Sequence, residues 1–477
     1  MKRRVFLAGG VGLAAFGGYS PASPQDAPGG PTAELRPEQF GAGNGDDDTA
    51  ALRAFLDRLA DGTTGVLAGT YQISSELRLR GKRKFTLRGP GTITMKPGVP
   101  SRWGFGGLRL TDCSDFVLSG FTIDGNRSRR EPRELPAHNF IFESCHRFRC
   151  EGLQSLNGVV DGFLFYTESP ARLQTHCSDF AMMECVAENN WRQGCSVVHG
   201  RRGQFIGGRY GGTNGTAPMA GIDLEADQGS PLHSVEDILL SNVRFEANQG
   251  YGLLVSSVST PRAVRVIDCT FVDNKLGAIS WGAETGEITR PTIEGFGPWA
   301  FRGAIDIPVG PGGNLAIVSP IFRRTTADGE GQPLIYIHEG SAGNVTVQRL
   351  SANGCAAIAA FWAPRCSLTD SEIVSRRANF SGAILIFGDG CVVARNTISE
   401  FYGAVIYADA QDVTVSANRL SNPRQNDETG CINARGRVVV IDNVVTASGG
   451  ITAIATQGAA TARGNRISGF RTQVRRI

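Results

Sequence analysis

Phe116-Val-Leu-Ser-Gly-Phe-Thr-Ile-Asp-Gly-Asn126 sets the pattern for most of the chain. A run rich in β-formers leads into a polar turn, often with Asn, and a second short apolar run follows. Copies extend from Phe148 to Asn157, Phe180 to Asn189, Phe205 to Asn214, Leu239 to Asn248 and Arg265 to Asn274. Weaker copies begin near Ile288, Ala316, Asn344, Leu368, Val392, Val413, Val438 and Thr461. A unit of this size cannot bury its apolar face alone and must stack on the next. The repeat therefore predicts an all-β solenoid.

The bulk composition agrees with that reading. A chain of 477 residues would ordinarily split into several domains, but a solenoid grows along one axis without dividing its core. The 62 glycines and the Asn-rich turns suit a tightly wound β-structure. The 48 basic and 45 acidic residues leave a net charge of only +3. No basic stripe is present, so nucleic acid is not expected as a partner. The short clusters Arg129-Arg130, Arg201-Arg202 and Arg475-Arg476 read as solvated faces. The 11 cysteines fall mostly inside apolar runs and lack zinc spacing, so most are expected in the core.

The N-terminus, Met1 to Phe16, has a charged start, a short apolar stretch and a small-residue zone. Arg3-Arg4 followed by Phe6-Leu7 resembles a twin-arginine export signal. Residues 1–22 are expected to be that signal, 23–37 a linker rich in Pro and Gly, and 38–477 the solenoid. The expected location is periplasmic or secreted, with no membrane contact once the signal is removed.

Leu52, Phe55, Leu56 and Leu59 share one helical face, which predicts a helix near residues 49–60. Asp46, Asp47 and Asp48 precede it and are read as helix caps. Such a helix would plug the end of the solenoid. This segment, "FGAGNGDDDTAALRAFLD" and then "GVLAGTYQISSELRLRGKRKFTLRGPGTITM", resembles the first coil of the pectate-lyase-like superfamily. The resemblance implies a single right-handed parallel β-helix. It leaves activity open, because that superfamily includes lyases, glycoside hydrolases, epimerases and adhesins.

The second runs align on Gly162, Gly194, Gly221, Gly252, Ala278, Ala304 and Leu334. Alternation then turns Tyr166, Ser196, Asp223, Glu225, Ser280, Asp306, Tyr336 and His338 outward. Asp223, Glu225 and Asp227 fall on one face, with neighbours roughly 6.6 Å apart. Three like charges so close suit either acid/base chemistry or a Ca²⁺ site. Arg192 and His199, one coil earlier, complete the expected catalytic set with Asp223 and Glu225. Asp227, Arg244, Trp191 and Gln193 are expected to bind substrate. Asp223, Glu225 and Asp227 would hold Ca²⁺ only if the protein is a Ca-dependent lyase.

The expected substrate is a polysaccharide, cleaved by hydrolysis or by elimination. Epimerisation ranks lower, because Gly162-Phe-Leu-Phe-Tyr-Thr-Glu168 lacks the Asp and His of the alginate-epimerase motif. A non-catalytic glycan-binding or surface-structural β-helix is the alternative. His138 and His176 read as loop or core residues. Tyr336, Trp281, Trp299 and Trp362 suit either sugar stacking or the core. The C-terminal third, poor in outward acids, reads as scaffold.

Overall fold

The computed structural model describes residues 34–131, 137–167, 176–226, 234–259, 261–296, 303–308, 310, 314–323, 333–341, 343–355, 357–375, 383–424 and 429–477. The expected signal, residues 1–22, lies outside them. The 45 strands of the described residues form one continuous set, and every pairing is parallel. Three strands make a coil, and each pairs with its counterpart one coil on. Ser114–Ser119 pairs with His146–Glu151, Thr122–Asp124 with Gln154–Leu156, and Phe140–Glu143 with Phe163–Tyr166. The fold is the parallel β-helix expected from the repeat.

The expected register also holds. Phe163, Cys195, Ile222, Leu253, Ile279, Ile305 and Ile335 are successive partners in one inward column. Parallel in-register pairing stacks like on like. Phe85, Phe116 and Phe148 stack at centroid separations of 5.2 and 4.8 Å, and Phe180 continues the column at 5.7 Å. Phe205 departs from the expected alignment. Gly203 takes the position after Phe180, and Phe205 stands opposite Met182. A Cβ at Gly203 would lie 2.2 Å from the Phe180 ring, so only glycine leaves room for that ring.

The coil turns sharply at single left-handed residues. Asn126, Asn157 and Asn189 adopt φ of 52°, 51° and 56°, whereas in later coils Ala247 and Asp273 take the left-handed position and Asn248 and Asn274 are buried beside them. Asp and Arg alternate between coils at other such corners. Arg147 grips Asp115, Arg202 grips Asp179, Arg290 grips Asp268, Arg395 grips Asp370 and Arg437 grips Asp412, each through two nitrogens. Buried asparagines make a second ladder, from Asn396 through Asn418 and Asn443 to Asn465. Arg130 corrects the solvated reading of its cluster. It is buried and donates to the carbonyls of Val99, Pro100, Phe105 and Gly125.

The helix Thr49–Asp57 closes the N-terminal end. Leu52, Phe55, Leu56 and Leu59 are all buried in the same core as the coils. Asp47 caps it, accepting from the Thr49 amide at 3.0 Å and its hydroxyl at 2.5 Å. Asp48 serves differently. Its carboxylate accepts from the amides of Gly43 (2.6 Å) and Gln72 (2.9 Å), fastening the cap to the first coil. Glu34 and Leu35 pair with Thr64 and Gly65, so the β-structure begins inside the stretch expected to be linker. All 11 cysteines are unpaired and buried, in keeping with a core role.

Phe55→Ala would empty the space under the cap while leaving the corner ion pairs intact. It is expected to destabilise the N-terminal end by about 3–5 kcal/mol, read as a lower thermal midpoint. Truncating an exposed corner residue such as Arg437 should leave that midpoint nearly unchanged.

Candidate functional site

The strand Ile222–Leu224 lies between Cys195–Val197 and Tyr251–Val255. Ile222 and Leu224 point into the core, so Asp223 faces outward, in register with Ser196 and Leu254. It does not stand on an open wall as expected: only 2% of its surface is exposed. A cleft of about 310 Å³ opens over it, lined by Arg192, Gln193, Ser196, Pro218, Asp223 and Glu225 among others. Glu225, two residues further along the chain, is exposed at the same cleft.

Beneath the cleft lies a buried network that the sequence reading missed. Asp161 is fully buried and receives two bonds from Arg192, Nε at 2.8 Å and a terminal nitrogen at 2.6 Å. Ser196 Oγ donates to the same carboxylate at 2.9 Å, and His138 Nδ1 lies 3.3 Å away. Burial alone would raise the Asp161 pKa, but the charge of Arg192, with His138, outweighs it and holds the group well below the carboxylate range. Asp161 in turn keeps Arg192 charged. The only sequence signal for Asp161 was its place just before Gly162, the anchor of an aligned run. His138, read as a loop or core residue, belongs to this network.

Asp223 has the opposite environment. Burial pushes its pKa up to about 7, and nearby Glu225 and Asp161 add to the shift. The Gln193 hydrogen bond and Arg192 oppose it. Gln193 Nε2 donates to Oδ2 at 2.5 Å, whereas Asp223 Oδ1 and Gln193 Oε1 are buried with no protein partner. A buried oxygen without a donor is costly as a carboxylate and less so as a carboxylic acid. The guanidinium nearest Asp223 in the cleft, that of Arg192, is bound by Asp161. The cleft thus holds a protonatable carboxyl and a second at its mouth, above an ionised one buried beneath.

The other expected site residues fare unequally. Gln193 and Arg192 line the cleft. His199 does not: it is fully buried, accepts from the Thr167 amide at 3.2 Å and packs against the rings of Tyr166 and His176. Arg244 belongs to a different strand stack and pairs with Glu246 on its own strand. Strand geometry therefore turns it away from the cleft. Trp191 is half-buried beneath the Arg127 guanidinium and is not among the lining residues. Asp227 lies outside the described residues. Among the described residues no three His, Cys, Asp or Glu side chains gather into a cation site. Asp223 is engaged by an amide donor and shares its cleft with Arg192. Asp223 and Glu225 are the members of the expected Ca²⁺ set that lie among the described residues.

No family model matches the sequence, and no curated protein matches it. Several solved structures are similar. The A-module of mannuronan C-5 epimerase AlgE6 from Azotobacter vinelandii covers 92% of this chain and 99% of its own, at 15% identity and a TM-score of 0.43. The PL6 family alginate lyase AlyGC matches 93% of this chain and 74% of its own, at 12% identity and a TM-score of 0.44. The N-terminal fragment of bacteriophage Phi29 gene product 12 matches 92% of this chain and 71% of its own, at 14% identity and a TM-score of 0.48. An epimerase module, a lyase and a phage protein are thus alike in extent, and the chemistry of this chain is read from its own residues.

The raised Asp223 pKa has a consequence for stability. Between the unfolded value of 3.8 and about 7 the folded chain holds a proton that the unfolded chain has lost. Stability from this group is full at low pH and falls as pH rises through that window. Asp223→Asn should therefore stabilise the protein above pH ~7, by a few kcal/mol at most, with the gain vanishing near pH ~4. Thermal midpoints of both proteins across that range test this.

Proposed function

We propose that the protein cleaves the glycosidic bonds of a polysaccharide laid along this wall, by hydrolysis. The observation that carries the reading is the pairing of Asp223, whose pKa stands at about 7, with Glu225 at the mouth of the same cleft. A group that keeps its proton near neutrality suits a general acid that protonates the leaving oxygen. Residues i and i+2 of an extended strand stand roughly 6.6 Å apart. From backbone positions so spaced, the two side chains can reach the ~6.5–9.5 Å carboxyl separation of inverting hydrolases, in which the second carboxylate activates water. Asp223 is assigned as acid and Glu225 as base. Arg192, Gln193 and Ser196 position substrate and acid, and Asp161 and His138 hold Arg192 in place.

Arg192 favours a second reading. Its guanidinium at the cleft could neutralise the carboxylate of a uronate unit, as eliminative cleavage requires. The two chemistries leave different ends. The protein is further assigned to the periplasm or the exterior on its N-terminal sequence, a placement that cell fractionation tests.

Incubation with a panel of acidic and neutral polysaccharides is expected to release new reducing ends without unsaturated uronates. Absorbance of unsaturated uronate ends would instead establish elimination. Glu225→Gln and Asp223→Asn should each lower kcat by about 10²–10⁴-fold. Wild-type protein that binds a polymer but releases neither product would support a glycan-binding or surface-structural role. Full activity in the double variant would place the site elsewhere.

A further inference from the structure

The two outward columns that hold the candidate site continue toward the C-terminus. The Asp223 column passes through Leu254 and Ser280 to Asp306 and Tyr336, and later to Tyr407. The Glu225 column lies two residues further along each strand. Four coils on, about 19 Å away at the strand spacing, it reaches His338, and then Trp362 and Phe387. These follow the paired residues Ile337, Phe361 and Ile386. Arg435 stands two coils beyond Phe387, paired with Asp409. Between cleft and aromatics the columns carry Leu254, Ser280 and Asp306 in one and Ser256, Gly282 and Pro308 in the other.

The aromatic residues are half-exposed and meet in two groups. Trp362 stacks on Phe387 at 4.2 Å, Phe387 lies 5.8 Å from Tyr407, and Tyr336 meets His338 edge-on at 4.5 Å. His338 is fixed from below: its Nε2 lies 2.9 Å from Oδ1 of buried Asp306, whose Oδ2 accepts from the Tyr251 hydroxyl at 3.1 Å. At the far end the Arg435 guanidinium lies over the Tyr407 ring, 5.2 Å from its centroid. The corner arginines each hold an Asp, but Arg435 makes no ion pair among the described residues, and its Nε is buried without an acceptor.

We infer that this strip, from Tyr336 and His338 through Trp362, Phe387 and Tyr407 to Arg435, binds an acidic polysaccharide in extension of the Asp223 cleft. Sugar rings present an apolar face to aromatic side chains and a rim of hydroxyls to polar ones. His338 supplies a held polar contact at one end, and Arg435 a cation for a sugar carboxylate at the other. The strip replaces the scaffold role expected for this part of the chain. Trp281, by contrast, is buried in the core, and Trp299 lies outside the described residues. The inference rests on reading this wall as the polysaccharide-facing side, and binding can be measured apart from cleavage.

Affinity electrophoresis of the Asp223→Asn, Glu225→Gln double variant, with polygalacturonate, polymannuronate and neutral hydroxyethylcellulose in the gel, tests it. At least one polyuronate should retard the protein more than hydroxyethylcellulose does. Adding the surface change Tyr407→Ala or Arg435→Gln should weaken that binding by about tenfold. If binding falls while the wild type releases no product from any polymer, the strip stands and the hydrolytic assignment fails. Retardation unchanged by Tyr407→Ala, Trp362→Ala and Arg435→Gln, with each variant melting as the parent does, would overturn the inference. So would equal retardation by the neutral polymer, no retardation by any of them, or self-association of the parent that these changes abolish.

Discussion

Hydrogen bonding of each coil to the next is the constraint on which the rest of this structure depends. Because every pairing of the described strands is parallel, and the register shifts only at two bulges near the C-terminus, a residue is stacked on its counterpart in the coil above and below. The same rule that lines up Phe116, Phe148 and Phe180 in the core lines up Ser196 and Asp223 on the wall. A functional side chain therefore has neighbours drawn from coils some thirty residues away in sequence. Arg192 meets Asp161 across 31 positions, and Gln193 meets Asp223 across 30. The coil converts sequence period into spatial adjacency, and a one-residue slip would reverse inside and outside.

Within that frame the cleft is organised by unequal treatment of similar groups. Asp161 and Asp223 are both buried carboxyls near one guanidinium. Asp161 takes two donors from one edge of the Arg192 guanidinium, along with the Ser196 hydroxyl, and stays ionised. Asp223 receives a single amide donor and is driven toward the neutral acid. The difference lies in partner allocation rather than in depth. Two carboxyls with divergent protonation beside a third at the surface make an arrangement suited to moving protons.

Much of the fold was legible in the sequence, and less of the site. The repeat, the inward column from Phe163 to Ile335 and the buried face of the capping helix follow from spacing alone, because period and burial are local properties. Asp223 and Glu225 were legible for the same reason, as acids alternating with apolar residues. Asp161 was not, since nothing in its own neighbourhood marks it until Arg192 is stacked on it. His199 and Arg244 misled because nearness in coil number does not fix which face a side chain takes. His199 follows Val198 into a turn that buries it, and Arg244 belongs to another face of the coil. Of the aromatic strip, Tyr336, His338 and Trp362 were legible as outward or sugar-stacking candidates, whereas Phe387, Tyr407 and Arg435 were not, because the strip is spread over five coils and its members are individually ordinary.

The chemistry of the cleft turns on Asp223 keeping its proton up to near neutral pH. Infrared difference spectra between the wild type and Asp223→Asn, recorded as a pH titration, read that carboxyl directly. The account predicts a protonated-carboxyl band lost with a midpoint near 7. A midpoint near the ordinary aspartate value of 3.8 would contradict it.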